Sequence, residues 1–418
     1  MAWWALHTVL IVILARFAWK KQDGPIRAFF WPAGLVKILA TVAVLVIHRY
    51  YYPESDMFFF YDRATQLSQR AVSDFPGFLN SLFTPASGYY PGEARTEFFV
   101  KLLSLVALFT HHNVLLMSLW LSLMSFFASW HLVQVITKWQ PAWKWPAIVA
   151  FLFYPSVVFW TSGIMKETLA MAGIYFIMTV FLKLWTMQRP AWWEYILLVL
   201  SVWVAWKLKY YYVAVLMPVL LAALVTRALG RKMLQITKVR EMFLFAATFF
   251  LLILLPGFFH PNLRPARLIK VVAENHNHMV MNAGSTHLTG TEIIEPHITD
   301  IASHILPGLA YGLFAPYTPD FTHGFYMLSV IENWLLVLLT VCSMPALFFY
   351  KDDGERVLLW AALAFCIVLA CWLGVAVPAA GTLVRYKVGF LSCWVLLVLL
   401  GAKNTWVAVQ CWKRHAMK

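Results

Sequence analysis

Apolar runs closed at each end by charges or aromatic rings follow one another along almost the whole chain. Many are long enough, as helices, to cross the roughly 30 Å hydrocarbon core of a bilayer. Their boundaries predict eleven transmembrane helices, at about 2–19, 31–48, 112–137, 145–160, 163–184, 191–207, 210–226, 240–257, 325–350, 356–377 and 387–402. The run 97–110 is apolar as well, but it is short and carries Glu97 and Lys101. It reads as a helix lying in the membrane interface. The predicted fold class is all-α: one polytopic membrane domain over 1–418, with two long loops at 49–111 and 258–324. Weaker amphipathic stretches at 64–72 and 267–275 predict short surface helices inside those loops. The first run lacks a basic leader and a small-residue cleavage site, and so reads as a retained helix.

Composition agrees with the pattern. Of 418 residues, 61% are hydrophobic and 12% charged, with a mean hydropathy of +0.70, more apolar than a soluble core of this size requires. Trp and Tyr gather at the ends of runs, as in Trp3-Trp4, Trp192-Trp193 and Tyr210-Tyr211-Tyr212, where amphipathic rings favour the headgroup level. The net charge of +14 sets orientation rather than a nucleic-acid surface, because more than half of the 33 basic residues fall in short connections on one side. Those connections are then cytoplasmic, the N-terminus is outside, and both long loops face outward. The group Arg227, Arg231, Lys232, Lys238 and Arg240 is the densest cytoplasmic cluster, a topological anchor and binder of anionic lipid. The five cysteines, Cys342, Cys366, Cys371, Cys393 and Cys411, lie late in the chain without a C-x-x-C pair, which argues against a disulfide framework or a thiolate metal site.

Candidate chemistry concentrates on the outward side. The first loop opens with Tyr50-Tyr51-Tyr52-Pro53-Glu54-Ser55-Asp56 and continues through Phe58-Phe59-Phe60. A carboxylate among aromatics at the membrane surface is expected to be partly desolvated and so suited to accept a proton; Asp56 serves equally well as a helix N-cap. The string Tyr154-Pro155-Ser156 to Lys166-Glu167 forms a turn in which Lys166, with exposed amides at Thr161-Ser162-Gly163, would hold an anion such as phosphate. A mutual or interfacial pair of Lys166 and Glu167 is the alternative. Near the last span, Gly381-Thr382-Leu383-Val384-Arg385-Tyr386-Lys387 places two cations at an outer boundary, against the positive-inside trend. Glu332 beside Asn333 is an acid inside a predicted span, a position that is costly unless paired or functional. Lys207 and Lys209 read as snorkelling lysines. The second loop is rich in histidine, but His276-x-His278 has only the spacing of two ligands on one strand face, without a third ligand at a diagnostic distance. No glycine-rich nucleotide loop occurs.

In layout, with an acidic loop after an early span, a surface helix before the next and basic turns on the outer face, the chain resembles the membrane glycosyltransferases of the C-type (GT-C) fold. The Pro155-Ser156, Phe159-Trp160-x-Ser162-Gly163-x-x-Lys166-Glu167, Glu332-Asn333 and Gly381-Thr382-Leu383-x-Arg385-Tyr386 strings also look like motifs of bacterial membrane proteins grouped with these enzymes. The resemblance implies a bacterial inner-membrane protein with a periplasmic or extracellular active face. It would transfer a sugar from a polyprenyl-phosphate or pyrophosphate carrier to a glycan, lipid or protein acceptor. It assigns Asp56 or Glu54 as the base, with Glu332 ordering the cations. Lys166, Arg385, Lys387, Ser162 and Gly163 would hold the phosphate. Tyr51, Phe59, Tyr89, Tyr90, His276 and His278 would line the substrate site. No cofactor is implied, with a divalent metal left open, since the Glu54-x-Asp56 spacing departs from the commoner adjacent acidic pair. The partners are the lipid-linked donor and membrane lipid. A polysaccharide polymerase or O-antigen-type ligase using loop residues such as Arg264 and Arg267 is the nearest alternative reading, and a lipid-linked glycan flippase the alternative from another class.

Overall fold

The computed structural model describes residues 2–21, 24, 26–52, 56–84, 94–232, 238–282, 288, 292–319, 324–348 and 355–416. It is an all-α polytopic membrane protein, and the described residues contain no strand, only a single antiparallel bridge between Leu288 and Ala379. Among them, 8 helices are long and apolar enough to cross a bilayer, or 9 if a pair bent by 67° near the C-terminus counts as one span. Two compact units divide the chain, Met1–Tyr210 and Tyr211–Lys418.

The first unit holds α1 (Ala2–Lys20), α2 (Phe30–Tyr50), α3 (Asp56–Ser73), α4 (Phe75–Phe83), α5 (Ala94–Phe109), α6 (Val114–Trp139), α7 (Lys144–Ile148), α8 (Pro155–Trp160) and α9 (Lys166–Trp185). It also holds the first part of α10 (Trp192–Lys232). Its core is α6 packed on α9 and α2, where Phe30 meets Trp130 edge-to-face at 5.0 Å. The second unit contains the rest of α10, then α11 (Lys238–Leu252), α12 (Pro256–Phe259), α13 (Pro265–Met281), α14 (Ile298–Ser303) and α15 (Ile305–Phe314). It closes with α16 (Gly324–Phe348), α17 (Arg356–Ala376), α18 (Ala380–Tyr386) and α19 (Val388–Ala416). There α17 packs on both α15 and α19, and α16 on α19.

Three of the eleven expected spans differ. The run 145–160 is not one helix: α7 passes into a π-helical turn at Val149–Phe153, and the chain then extends at Tyr154 before α8. Pro155 explains the extension, since its ring disfavours helical backbone at the residue before it. The runs 191–207 and 210–226 are two parts of α10, separated by non-helical backbone at Lys209 (φ −143, ψ 65). The surface pieces expected at 64–72 and 267–275 are longer than their patterns showed, forming α3 and α13.

Candidate functional site

In the first unit the site is built around the break between α8 and α9. The chain leaves α8 at Thr161, turns through Gly163 at φ 77, and re-enters a helix at Lys166. A side chain at Gly163 would stand 2.8 Å from Val44 Cγ1, so both the left-handed backbone and the space require glycine. The freed backbone groups are satisfied by side chains from other helices, as burial in an apolar setting demands. Lys37, 5% exposed in the middle of α2, donates to the Thr161 carbonyl and to Thr161 Oγ1, both at 2.6 Å. Ser125 Oγ donates to the same carbonyl at 2.9 Å, and Ser122 Oγ accepts the Gly163 N–H at 2.9 Å.

This arrangement revises the expectation of an anion held by outward amides. The Ser162 N–H goes to the Phe159 carbonyl and the Gly163 N–H to Ser122, while Ser162 is fully buried with its hydroxyl on the Val158 carbonyl at 2.7 Å. Lys166 remains as the cation at the break. Its Nζ donates to Thr96 Oγ1 of α5 at 2.7 Å and sits 4.7 Å from the centre of the Phe60 ring of α3. Glu167 does not join it: that carboxylate turns the other way and pairs with Lys209 at 2.7 Å, the two side chains 3% and 4% exposed. Lys209 therefore does not snorkel, because its ammonium is needed inside the unit.

The first loop comes to the same place. Asp56 begins α3, and the next residue, Met57, is buried against the Gly163 turn, where a glycine Cβ would lie 3.9 Å from Met57 Cε. One turn further on, Phe60 lies under the Lys166 ammonium and packs edge-to-face on Phe99 at 5.2 Å. Asp56 itself is exposed, whereas the sequence suggested partial desolvation. The aromatic residues Tyr51 and Phe59 are exposed nearby in sequence, with Arg63 5.6 Å above the Phe59 ring. Partial burial and the Tyr51 phenol push the Tyr52 hydroxyl above its ordinary range. Glu54, Tyr89 and Tyr90 lie outside the described residues.

The remaining candidates belong to the second unit. Lys387 sits at the bend between α18 and α19, 2% exposed, and gives two of its protons to the Ala315 carbonyl (3.0 Å) and Asn333 Oδ1 (2.9 Å). Asn333 Nδ2 in turn donates to the Pro316 carbonyl at 2.9 Å. Lys387 thus ties the α18–α19 bend to the 315–316 segment and α16 as Lys37 ties the α8–α9 break. Glu332 is half-buried, as is Arg385, whose guanidinium lies 5.4 Å from the Tyr386 ring. His276 and His278 are on a helix, not a strand, so two residues of separation turn them to nearly opposite faces. His276 is buried and His278 exposed. Among the described residues no group of three His, Cys, Asp or Glu side chains is placed to hold a metal ion.

Sequence reading missed Lys37, Thr96 and the serine face of α6. The signal was present in Ser118, Ser122, Ser125 and Ser129, spaced to lie along one side of a helix, and in a lone lysine near the centre of an apolar run. Replacing Lys37 with Met is expected to cost about 1–3 kcal/mol, the loss of its three hydrogen bonds to the Val158 carbonyl, the Thr161 carbonyl and Thr161 Oγ1, as measured by unfolding in mixed micelles. No family model, curated protein or solved structure matches the chain.

Proposed function

We propose that this protein is a membrane glycosyltransferase that moves a sugar from a polyprenyl-phosphate carrier to a hydroxyl acceptor on the outer face of the membrane. The observation that supports the reading is the convergence of the start of α3 on the α8–α9 break. The turn that begins with Asp56 packs on Gly163, and Phe60 carries the Lys166 ammonium. An accessible carboxylate and a half-buried cation, set among exposed aromatic rings at the end of a spanning helix, suit a sugar phosphate on a lipid tail.

In the step proposed, the acceptor oxygen attacks the anomeric carbon and inverts it. The bond from that carbon to the phosphate oxygen breaks, and the phosphate leaves with the electron pair. Asp56 takes the acceptor proton, and Lys166 offsets the charge growing on the leaving phosphate. The orientation rests on the distribution of basic residues between the two ends of the spans.

Purified protein in nanodiscs, supplied with polyprenyl-phosphate sugars and followed by mass spectrometry of donor and product lipids, tests the reading. Asp56→Asn is expected to slow transfer by about 10²–10⁴-fold, the usual worth of a general base, without loss of folding. Lys166→Met is expected to slow it by about 10²–10³-fold. Transfer that survives Asp56→Asn undiminished overturns the assignment of the base, and a donor that is never consumed overturns the function.

A further inference from the structure

The second unit contains a cavity of about 570 Å³ whose lining includes neither Asp56 nor Lys166, the two residues that carry the proposed transfer step. Its back wall is held by α13. Both ring nitrogens of His276 lie within hydrogen-bond distance of backbone carbonyls, Val375 at 2.6 Å and Glu292 at 3.0 Å, which joins the end of α17 to the irregular segment 292–295. The neighbouring Asn277 side chain completes the lock, accepting the Ile294 N–H at 2.9 Å and donating to the Ile294 carbonyl at 2.8 Å. The Asp300 carboxylate accepts the Glu295 N–H at 2.6 Å and fixes the same segment to α14.

What this framework presents is a polar edge facing apolar walls. His304 Nδ1 stands 2.8 Å from the Asp300 carbonyl, which only accepts, so that nitrogen carries the proton. Its other nitrogen, Nε2, is then an acceptor, and so is the Glu292 carboxylate 3.7 Å away, so the two take protons from separate ligand hydroxyls, one each. Ser303 adds a hydroxyl to the edge, while Ile294, Pro307, Val375 and the Tyr311 ring supply the walls. The carboxylates of Glu292 and Asp300 oppose an anion, and the apolar walls give a small cation little to hold.

We propose that this cavity is a binding site for a neutral, hydroxyl-rich ligand, a mono- or disaccharide, with Glu292 and His304 gripping its hydroxyls and Tyr311 covering its C–H face. The volume suits such a ligand. The site is read by binding and not by turnover, so its failure and that of the transfer reading are separate results.

The test is saturation-transfer NMR of the whole protein in nanodiscs with methyl glucoside, methyl galactoside, N-acetylglucosamine and lactose, and with phosphate and choline as charged probes. At least one saccharide is expected to bind, and Glu292→Gln and His304→Ala are each expected to weaken it at least tenfold. The Glu292 side chain is 86% exposed, so its variant keeps the test valid if His304→Ala fails to fold. No saccharide binding, saccharide binding unchanged by Glu292→Gln, or phosphate or choline taking the variant-sensitive site in place of sugar would each overturn the proposal.

Discussion

Glu167→Gln is expected to lower stability by about 3–5 kcal/mol, the cost of leaving one member of a buried ion pair without the other. The pair has little solvent to fall back on, with Glu167 3% and Lys209 4% exposed at 2.7 Å separation. It also joins two helices at their irregular points, since Glu167 lies in the first turn of α9 and Lys209 occupies the non-helical position inside α10. Losing the carboxylate therefore leaves a buried ammonium at a place where the backbone is already interrupted. The double variant Glu167→Gln with Lys209→Met is expected to recover part of the loss, because no charge is then buried and only the smaller desolvation cost of a neutral amide remains. Equilibrium unfolding in mixed micelles measures all three proteins. A single variant that costs less than about 0.5 kcal/mol, the range of an ordinary surface change, would mean that the pair does not hold the two helices.

Spanning helices were legible in the sequence because each carries its own signal: α2, α6, α9 and α17 satisfy their backbone internally, and a run of apolar residues is all they require. The breaks were less legible. Nothing in the hydropathy of 145–160 marks the π-helical turn, and only Pro155 hints at an interruption. Which partner a charge takes is also a property of packing. Lys166 and Glu167 are neighbours in sequence, yet a helix sends adjacent side chains about 100° apart, so one met Thr96 and Phe60 and the other Lys209. His276 and His278 were offered together as substrate-lining residues, and on a helix of period 3.6 a separation of two turns one inward and the other outward. The cavity in the second unit was illegible, since Glu292, His304 and Tyr311 come from an irregular segment, the junction of α14 and α15, and α15 itself, which only the folded chain assembles.

Gly374→Ala is expected to be among the most damaging single-methyl changes in the second unit, by a mechanism opposite to the usual one. In a helix interior, alanine is favoured over glycine by about 0.8–1.0 kcal/mol, so an accessible glycine in a helix gains from this substitution. At 374, however, the new Cβ would stand 1.7 Å from the Gly308 carbonyl oxygen and 2.6 Å from the Gly312 nitrogen. Across the same interface, a Cβ at Gly312 would stand 1.9 Å from the Ala370 carbonyl oxygen. These neighbours are backbone atoms of α15 and α17, which cannot rotate aside as a side chain would. The Gly308-x-x-x-Gly312 spacing is the small-residue pattern that lets membrane helices approach to backbone contact. Relief therefore requires separating the helices, and the overpacking cost, on the order of 3 kcal/mol, outweighs the propensity gain. Gly381→Ala in α18 is the matched control: nothing lies within 4 Å of its Cβ position, so it is expected to be neutral or mildly stabilising. Because Gly308 and Gly374 both line the cavity, the same displacement moves its wall, and saccharide binding is expected to fall with stability in Gly374→Ala and to persist in Gly381→Ala. Equal stability of the two variants would show that α15 and α17 do not meet as closely as described.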